Sequence, residues 1–291
     1  MLAAGLSPEV GVYDEDRKGF GDRGGEEAPP NQQSTDTTPT SDAHGLKGWH
    51  VQLSCHTQTT QASTWYGGSV PLPLAMRSDR DCILALSMND QPLTPAHGYP
   101  VRAILPGIAG ARSVKWLDSI TVASAESPNF YQKHDYKILP PDATDAESAE
   151  KYWGVVEGLN DMPVNSAIAF PGQGEQVERD ADGKVEVRRY ALPGGDHGPV
   201  VRVQVSGDEG ERWVDAELDF GGLDTEKDGG REVKWAWCLW KAKVGLEKGD
   251  GKRLLSRAYD QGGNVQPERC EWNLRGVAYN GYGEVRDLHV V

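Results

Sequence analysis

Cysteine is scarce in this 291-residue chain and nowhere paired. Its four cysteines, Cys55, Cys82, Cys238 and Cys270, form no Cys-x-x-Cys element and no Cys/His cluster at zinc-finger spacing. That excludes a zinc-finger or dithiol site and reads as four reduced thiols, with Cys82 and Cys238 in apolar, buried surroundings. No stretch is apolar for long enough to span a bilayer, so no membrane partner is expected. The chain does not open on a basic start followed by an apolar run, and Pro8-Glu9 interrupt at once, unlike a secretory signal. Glu9, Asp14, Glu15 and Asp16 speak against a mitochondrial presequence, and the terminal Leu288-His289-Val290-Val291 is no peroxisomal address. A soluble, intracellular protein of cytoplasm or mitochondrion is expected. Positive charge is short as well: 30 Lys and Arg face 44 Asp and Glu, a net charge of −14. This argues against nucleic acid as a partner, and it means that an anionic ligand needs a local basic pocket.

What is present falls into four parts. Residues 1–45 are rich in Pro, Gly, Ser, Thr, Asp and Glu, bury too little apolar surface to offset chain entropy, and are expected to be an unfolded acidic, polar tail. Residues 46–124 read as a mixed segment with strands at Trp49–Leu53, Cys82–Met88, Tyr99–Leu105 and Val114–Val122. Residues 125–160 read as a connector with a short helix over Asp142–Trp153, where Thr144 and Glu147 fit a capping box. Residues 161–291 read as β throughout. Val201, Val203 and Val205 alternate with Arg202 and Gln204, and Trp235, Trp237 and Leu239 alternate with Ala236 and Cys238. Further strands are expected at Val164–Phe170, Lys184–Leu192, Arg212–Leu218, Arg253–Tyr259 and Glu284–Val291. About seven short strands between Gly-rich turns predict an immunoglobulin-like sandwich. The fold class is mainly β with some α.

The chemistry concentrates between Met88 and Asp118. His97-Gly98-Tyr99-Pro100-Val101-Arg102 is followed by Pro106-Gly107-Ile108-Ala109-Gly110-Ala111-Arg112-Ser113-Val114-Lys115-Trp116. Arg102, Arg112, Lys115 and His97 stand among glycines and prolines, which leave little bulk between an anion and the backbone amides; the composition suits a phosphate or another oxyanion. Each residue also has a plainer use: His97 as a turn residue, Arg112 as a surface charge, Tyr136 as a hydrogen-bonded core tyrosine, and Arg275 stacked on Trp272.

This segment resembles the cofactor-binding segment of the sulfite oxidase family of molybdenum enzymes. Other pieces follow in the same order: Trp65-Tyr66-Gly67-Gly68-Ser69-Val70-Pro71-Leu72 before it, Asp135-Tyr136-Lys137 after it, Val164-Asn165-Ser166-Ala167-Ile168 at the start of the β region, and Asn264-Val265-Gln266-Pro267 and Trp272-Asn273-Leu274-Arg275-Gly276-Val277 near its end. The resemblance covers residues 49 to 291. It implies a partial molybdopterin domain followed by an immunoglobulin-like dimerisation domain that pairs two chains through the β-sandwich. It implies that His97 and Arg102 contact a molybdopterin cofactor and that Arg112, Ser113, Val114 and Lys115 hold its phosphate end. Tyr136 would face the metal, and Arg275 would help bind sulfite as it is oxidised to sulfate. The related nitrate reductases give a second reading, which Asp135-Tyr136-Lys137 disfavours; a non-catalytic dimerisation module gives a third. No haem domain is visible.

The pattern departs at one point. In the family a cysteine upstream, in an Arg-rich segment, ligates molybdenum through its thiolate, the soft donor that this metal requires. Residues 1–48 hold no cysteine, Cys55 aligns too late, and no metal ligand is assigned. Taken literally, the chain looks like the C-terminal part of such an enzyme, with residues 46–124 less stable than the β domain.

Overall fold

The computed structural model describes residues 4–5 and 47–291. The expected tail over 6–45 lies outside the described residues. The described residues divide into two compact units: one comprises those up to Leu105 together with Gly110–Asp135, the other Pro106–Ala109 and Tyr136–Val291.

The first unit is built on short sheets. His50–Cys55 is the middle strand of three, antiparallel to both Tyr66–Pro71 and Ser119–Ala123. Val51, Leu53 and Cys55 are buried at alternate positions, as the period-two rise of a strand requires. A second sheet sets Ile83–Ala85 between Ala4–Gly5 and Arg102–Ile104. Buried polar groups do much of the joining. Gln132, 1% exposed, accepts from the Ser69 amide at 2.9 Å and donates to Glu126 at 2.9 Å. Asn129 caps the turn of helix Phe130–Lys133 and donates to the Trp65 carbonyl at 2.9 Å. Buried groups of this kind need such partners to offset their lost hydration.

The second unit is an immunoglobulin-like sandwich. A five-stranded sheet runs in the order Gln176–Val177, Gly283–Val290, Gly249–Asp260, Val200–Ser206, Val214–Asp215. A four-stranded sheet runs Glu217–Asp219, Cys238–Gly245, Lys184–Leu192, Asn165–Ser166. Their inner faces share one core that includes Val185, Val187, Trp240 and Val244 from one sheet and Val203, Leu254, Val285 and Leu288 from the other. Lys184–Leu192 is the predicted strand, residue for residue.

Three local expectations need correction. Val201 is not on the core face with Val203 and Val205: a register shift between Val200 and Arg202 turns Val200 inward and leaves Val201 52% exposed. Trp237 and Leu239 also face outward; the strand begins at Cys238, and it is Cys238, Trp240, Ala242 and Val244 that are buried. The connector helix is only Ala146–Ala149, capped one residue later than expected, with the Asp145 carboxylate accepting from the Ser148 amide at 2.8 Å. Asn264-Val265-Gln266-Pro267 proves to be a structural hub. The Gln266 Oε1 accepts from Ser166 Oγ at 2.7 Å and the Ala258 amide at 2.9 Å, and its Nε2 donates to the Gly281 carbonyl at 2.8 Å.

Candidate functional site

The site in the first unit starts from a tight turn. Thr94 leads into the single turn Pro95–His97, and Gly98 closes it at φ +103, a conformation open to glycine. A Cβ at Gly98 would lie 2.9 Å from Lys115 Cβ and 3.1 Å from Arg102 Cβ. The glycine therefore lets three segments meet, bringing His97, Arg102 and Lys115 to one place.

The turn then receives both cations. Its three consecutive carbonyls are all acceptors: Pro95 from Trp116 Nε1 at 2.9 Å, Ala96 from Lys115 Nζ at 3.1 Å, and His97 from Arg102 Nη1 at 3.2 Å. Arg102 Nη2 also donates to the Ser113 carbonyl at 3.4 Å. His97 Nδ1 pairs with Thr94 Oγ1 at 2.7 Å, which fixes the ring. Neither Arg102 nor Lys115 has a carboxylate partner among the described residues. Arg102 Nε is buried with no hydrogen-bond partner, and burial pulls the Arg102 guanidinium below its ordinary pKa; it stays charged all the same. Two cations held by neutral groups make a site whose chemistry calls for an anion.

Some expected contacts fall elsewhere. Arg112 is only 1% exposed and donates through Nη1 to the Tyr131 carbonyl at 3.4 Å. Its Cδ packs where a Cβ on Gly68 would come within 3.2 Å. Its side chain is buried in the interior of the first unit. The amides of Ser113 and Val114 are already bonded, to Gly110 O at 3.1 Å and Arg112 O at 3.0 Å, so the expected oxyanion cap from these N–H groups is not available. Ser113 Oγ accepts from the Leu105 amide at 3.0 Å, and Val114 is a core side chain. Sequence reasoning missed Gly98 and Trp116; a glycine between His97 and Arg102, and an aromatic directly after Lys115, were the available signals.

Tyr136 and Arg275 belong to the second unit. Both take left-handed backbone conformations, at φ +44 and +72, unusual for such side chains. The Tyr136 carbonyl accepts from the Leu159 amide at 2.8 Å. Arg275 is exposed on the turn Leu274–Gly276, which Asn273 clamps by accepting from the Val277 amide at 2.8 Å and donating to its carbonyl at 3.0 Å. The segments that carry the two residues border one cleft of about 520 Å³, Tyr136 through Ile138 and Leu139 and Arg275 through Trp272 and Asn273; Asp161 and His197 line it too.

Three of the four cysteines are buried, and Cys270 is half-buried and lines the cleft. Burial pushes the Cys238 thiol up to about 12 and raises that of Cys82. Cys55 is fully buried, with Sγ 3.4 Å from Thr57 Oγ1. Among the described residues no group of three or more His, Cys, Asp or Glu side chains is placed to hold a metal.

Comparison with known proteins gives this geometry a family. Residues 40–131 match the oxidoreductase molybdopterin binding domain and residues 157–288 the Mo-co oxidoreductase dimerisation domain. The chain is 41% identical over 228 residues to the mitochondrial sulfite oxidase of Drosophila melanogaster, covering 76% of this chain and 38% of that protein. It is 40% identical over 225 residues to the mitochondrial sulfite oxidase of Homo sapiens, covering 76% of this chain and 39% of that one. A nitrate reductase of Oryza sativa subsp. japonica is 38% identical over 229 residues, 76% of this chain and 24% of the relative. The sulfane dehydrogenase SoxCD from Paracoccus pantotrophus shares the fold, with a TM-score of 0.58 at 22% identity over 82% of this chain and 57% of that one. The chain thus belongs to the sulfite oxidase family of molybdopterin oxidoreductases, and its matched regions join a molybdopterin-binding domain to a dimerisation domain. It spans about two-fifths of the length of those sulfite oxidases.

Proposed function

We propose that this chain binds the phosphate end of a molybdopterin cofactor and takes part in the two-electron oxidation of sulfite to sulfate. The observation that carries the reading is the cradle: Arg102 and Lys115 fixed on the carbonyls of one turn, beside His97, with no carboxylate partner among the described residues. Arg102 and Lys115 would neutralise the phosphate through their charge. His97 would hold the cofactor through the ring nitrogen that Thr94 leaves free. When bound, the cofactor supplies a redox-active metal able to transfer an oxygen atom and accept two electrons. Of the chain's own groups, Tyr136 would donate its phenolic proton to a bound oxyanion, and Arg275 would add a planar guanidinium suited to a three-oxygen anion. Neither side chain lines the cleft itself; the neighbouring residues of both segments do, and that proximity is the support for a shared role. The dimerisation domain supports a homodimer formed through the sandwich. The animal relatives are named as mitochondrial, which supports that compartment here; no helix among the described residues is long and apolar enough to cross a membrane.

A second reading, nitrate reduction, draws on the nitrate reductases at 38–39% identity. One experiment separates the readings. The chain is purified from a host that makes the cofactor, its molybdenum is quantified, and electron transfer is followed with sulfite plus an artificial acceptor, and with nitrate plus an artificial donor. About one metal per chain with sulfite-dependent reduction of the acceptor is expected. Nitrate-dependent turnover alone transfers the assignment to the second reading. Metal-free protein from the same host leaves a dimerisation module.

A further inference from the structure

Trp116 has a backbone that needs explaining. Its φ of +52 lies in the left-handed region, which a bulky side chain rarely adopts, and such a conformation persists only when the surroundings over-determine it. Two contacts do so. The indole Nε1 donates to the Pro95 carbonyl at 2.9 Å. The ring face lies against the Lys115 ammonium, with Nζ 4.7 Å from the ring centroid. In an extended segment, neighbouring side chains point to opposite faces. The left-handed turn at Trp116 brings the indole back to the side of the residue before it.

We infer that Trp116 is a positioning residue for the anion-binding ammonium of Lys115, which it holds in place by its ring while its N–H fixes the turn Pro95–His97. The inference rests on the cradle reading proposed above. A lysine on a flexible stem is usually ordered by a carboxylate, which also cancels its charge. An aromatic face and a backbone carbonyl order it and leave the charge available to a ligand. The same indole N–H ties down the turn whose next two carbonyls hold Lys115 and Arg102. One side chain therefore fixes both the cation and the platform on which it stands.

The test is calorimetric titration of inorganic phosphate into the full chain, with the thermal midpoint of each variant measured alongside. Trp116→Leu is expected to weaken binding about tenfold, the size of a partly desolvated cation–π contact. Trp116→Phe, which keeps a ring and loses the N–H, should fall between Trp116→Leu and the parent. In a Lys115→Met background Trp116→Leu should cause a smaller further loss, no larger than that of Trp116→Phe in the parent, because only the effect of the N–H on the turn and Arg102 remains. Parent-like affinity in Trp116→Leu and Trp116→Phe, with weak binding in Lys115→Met, overturns the positioning role and spares the cradle. An equal loss from Trp116→Leu with and without Lys115 makes the effect one of general packing and also overturns it. Parent-like binding in both Lys115→Met and Arg102→Met overturns the cradle itself, as does a parent chain that takes up no phosphate.

Discussion

At the residue scale, the site depends on positions whose backbone leaves little choice of side chain. Gly98 is the sharpest case. Alanine there meets Lys115 and Arg102 at about 3 Å and must also adopt φ +103. We expect Gly98→Ala to cost about 1–3 kcal/mol of stability and to weaken phosphate binding as the cations move apart. Gly110→Ala, where nothing lies within 4 Å and φ is not positive, should leave both unchanged. Thermal melts and phosphate titrations of the two variants check this, and equal behaviour would contradict it. Away from the site, Asp208 accepts from the Arg212 amide at 2.9 Å, from Arg212 Nε at 2.7 Å and from Ser206 Oγ at 2.8 Å. These bonds, the Arg212 amide first, hold its carboxyl down at about 2. The folded value lies below the unfolded one of about 4, so the stabilisation is fully present above about pH 4 and is lost as the pH falls toward 2. Asp208→Asn should therefore lower stability at neutral pH and flatten its dependence between pH 4 and 2, as denaturant titrations over that range would report. An unchanged slope would refute the assignment.

At the element scale, the two units differ in how much structure each strand shares. The strands of the first unit are at most six residues long and lie in sheets of no more than three. The sandwich has strands of up to twelve residues in sheets of five and four. Short strands with few neighbours open at lower free energy. We expect limited proteolysis with mass detection to cut first within residues 47–105 and 110–135, and to leave the 157–291 region as the last large fragment. Equal resistance of the two would contradict this. The same contrast explains what could be read from the sequence. Lys184–Leu192 alternates cleanly because one face packs on the core and the other meets water, and it was legible to the residue. The bulge after Val200 was not, because a register shift leaves no mark on a run of valines. The burial of Cys238 was legible, but the bounds of its strand were not, because Trp235 and Trp237 are as apolar as the residues of Cys238–Gly245; Trp237 lies before the strand and stacks on Tyr190 at 4.6 Å. In the cradle, residue type and spacing singled out Arg102, Arg112, Lys115 and His97 together. The burial of Arg112 and the prior bonding of the Ser113 and Val114 amides are set by tertiary packing, which spacing does not encode.

At the scale of the whole molecule, the cradle is a local exception to an acidic chain. A net charge of −14 repels phosphate and sulfite at long range. Phosphate affinity should therefore weaken less with added salt than in a basic protein, because salt screens the overall repulsion together with the local attraction. The matched dimerisation domain supports pairing of two chains, and Trp237 and Leu239, 60% and 58% exposed, offer apolar surface that such pairing would cover. Sedimentation equilibrium should give twice the 31.7 kDa chain mass, and Trp237→Glu should shift it toward the monomer; a monomeric parent would contradict pairing. The central claim is that Arg102 and Lys115 grip the phosphate of a molybdopterin. Its most direct test is the pterin released on denaturing the protein, measured by fluorescence after purification from a cofactor-making host. The parent is expected to release about one pterin per chain and the Arg102→Met/Lys115→Met double variant almost none. Equal pterin from both proteins would contradict the account.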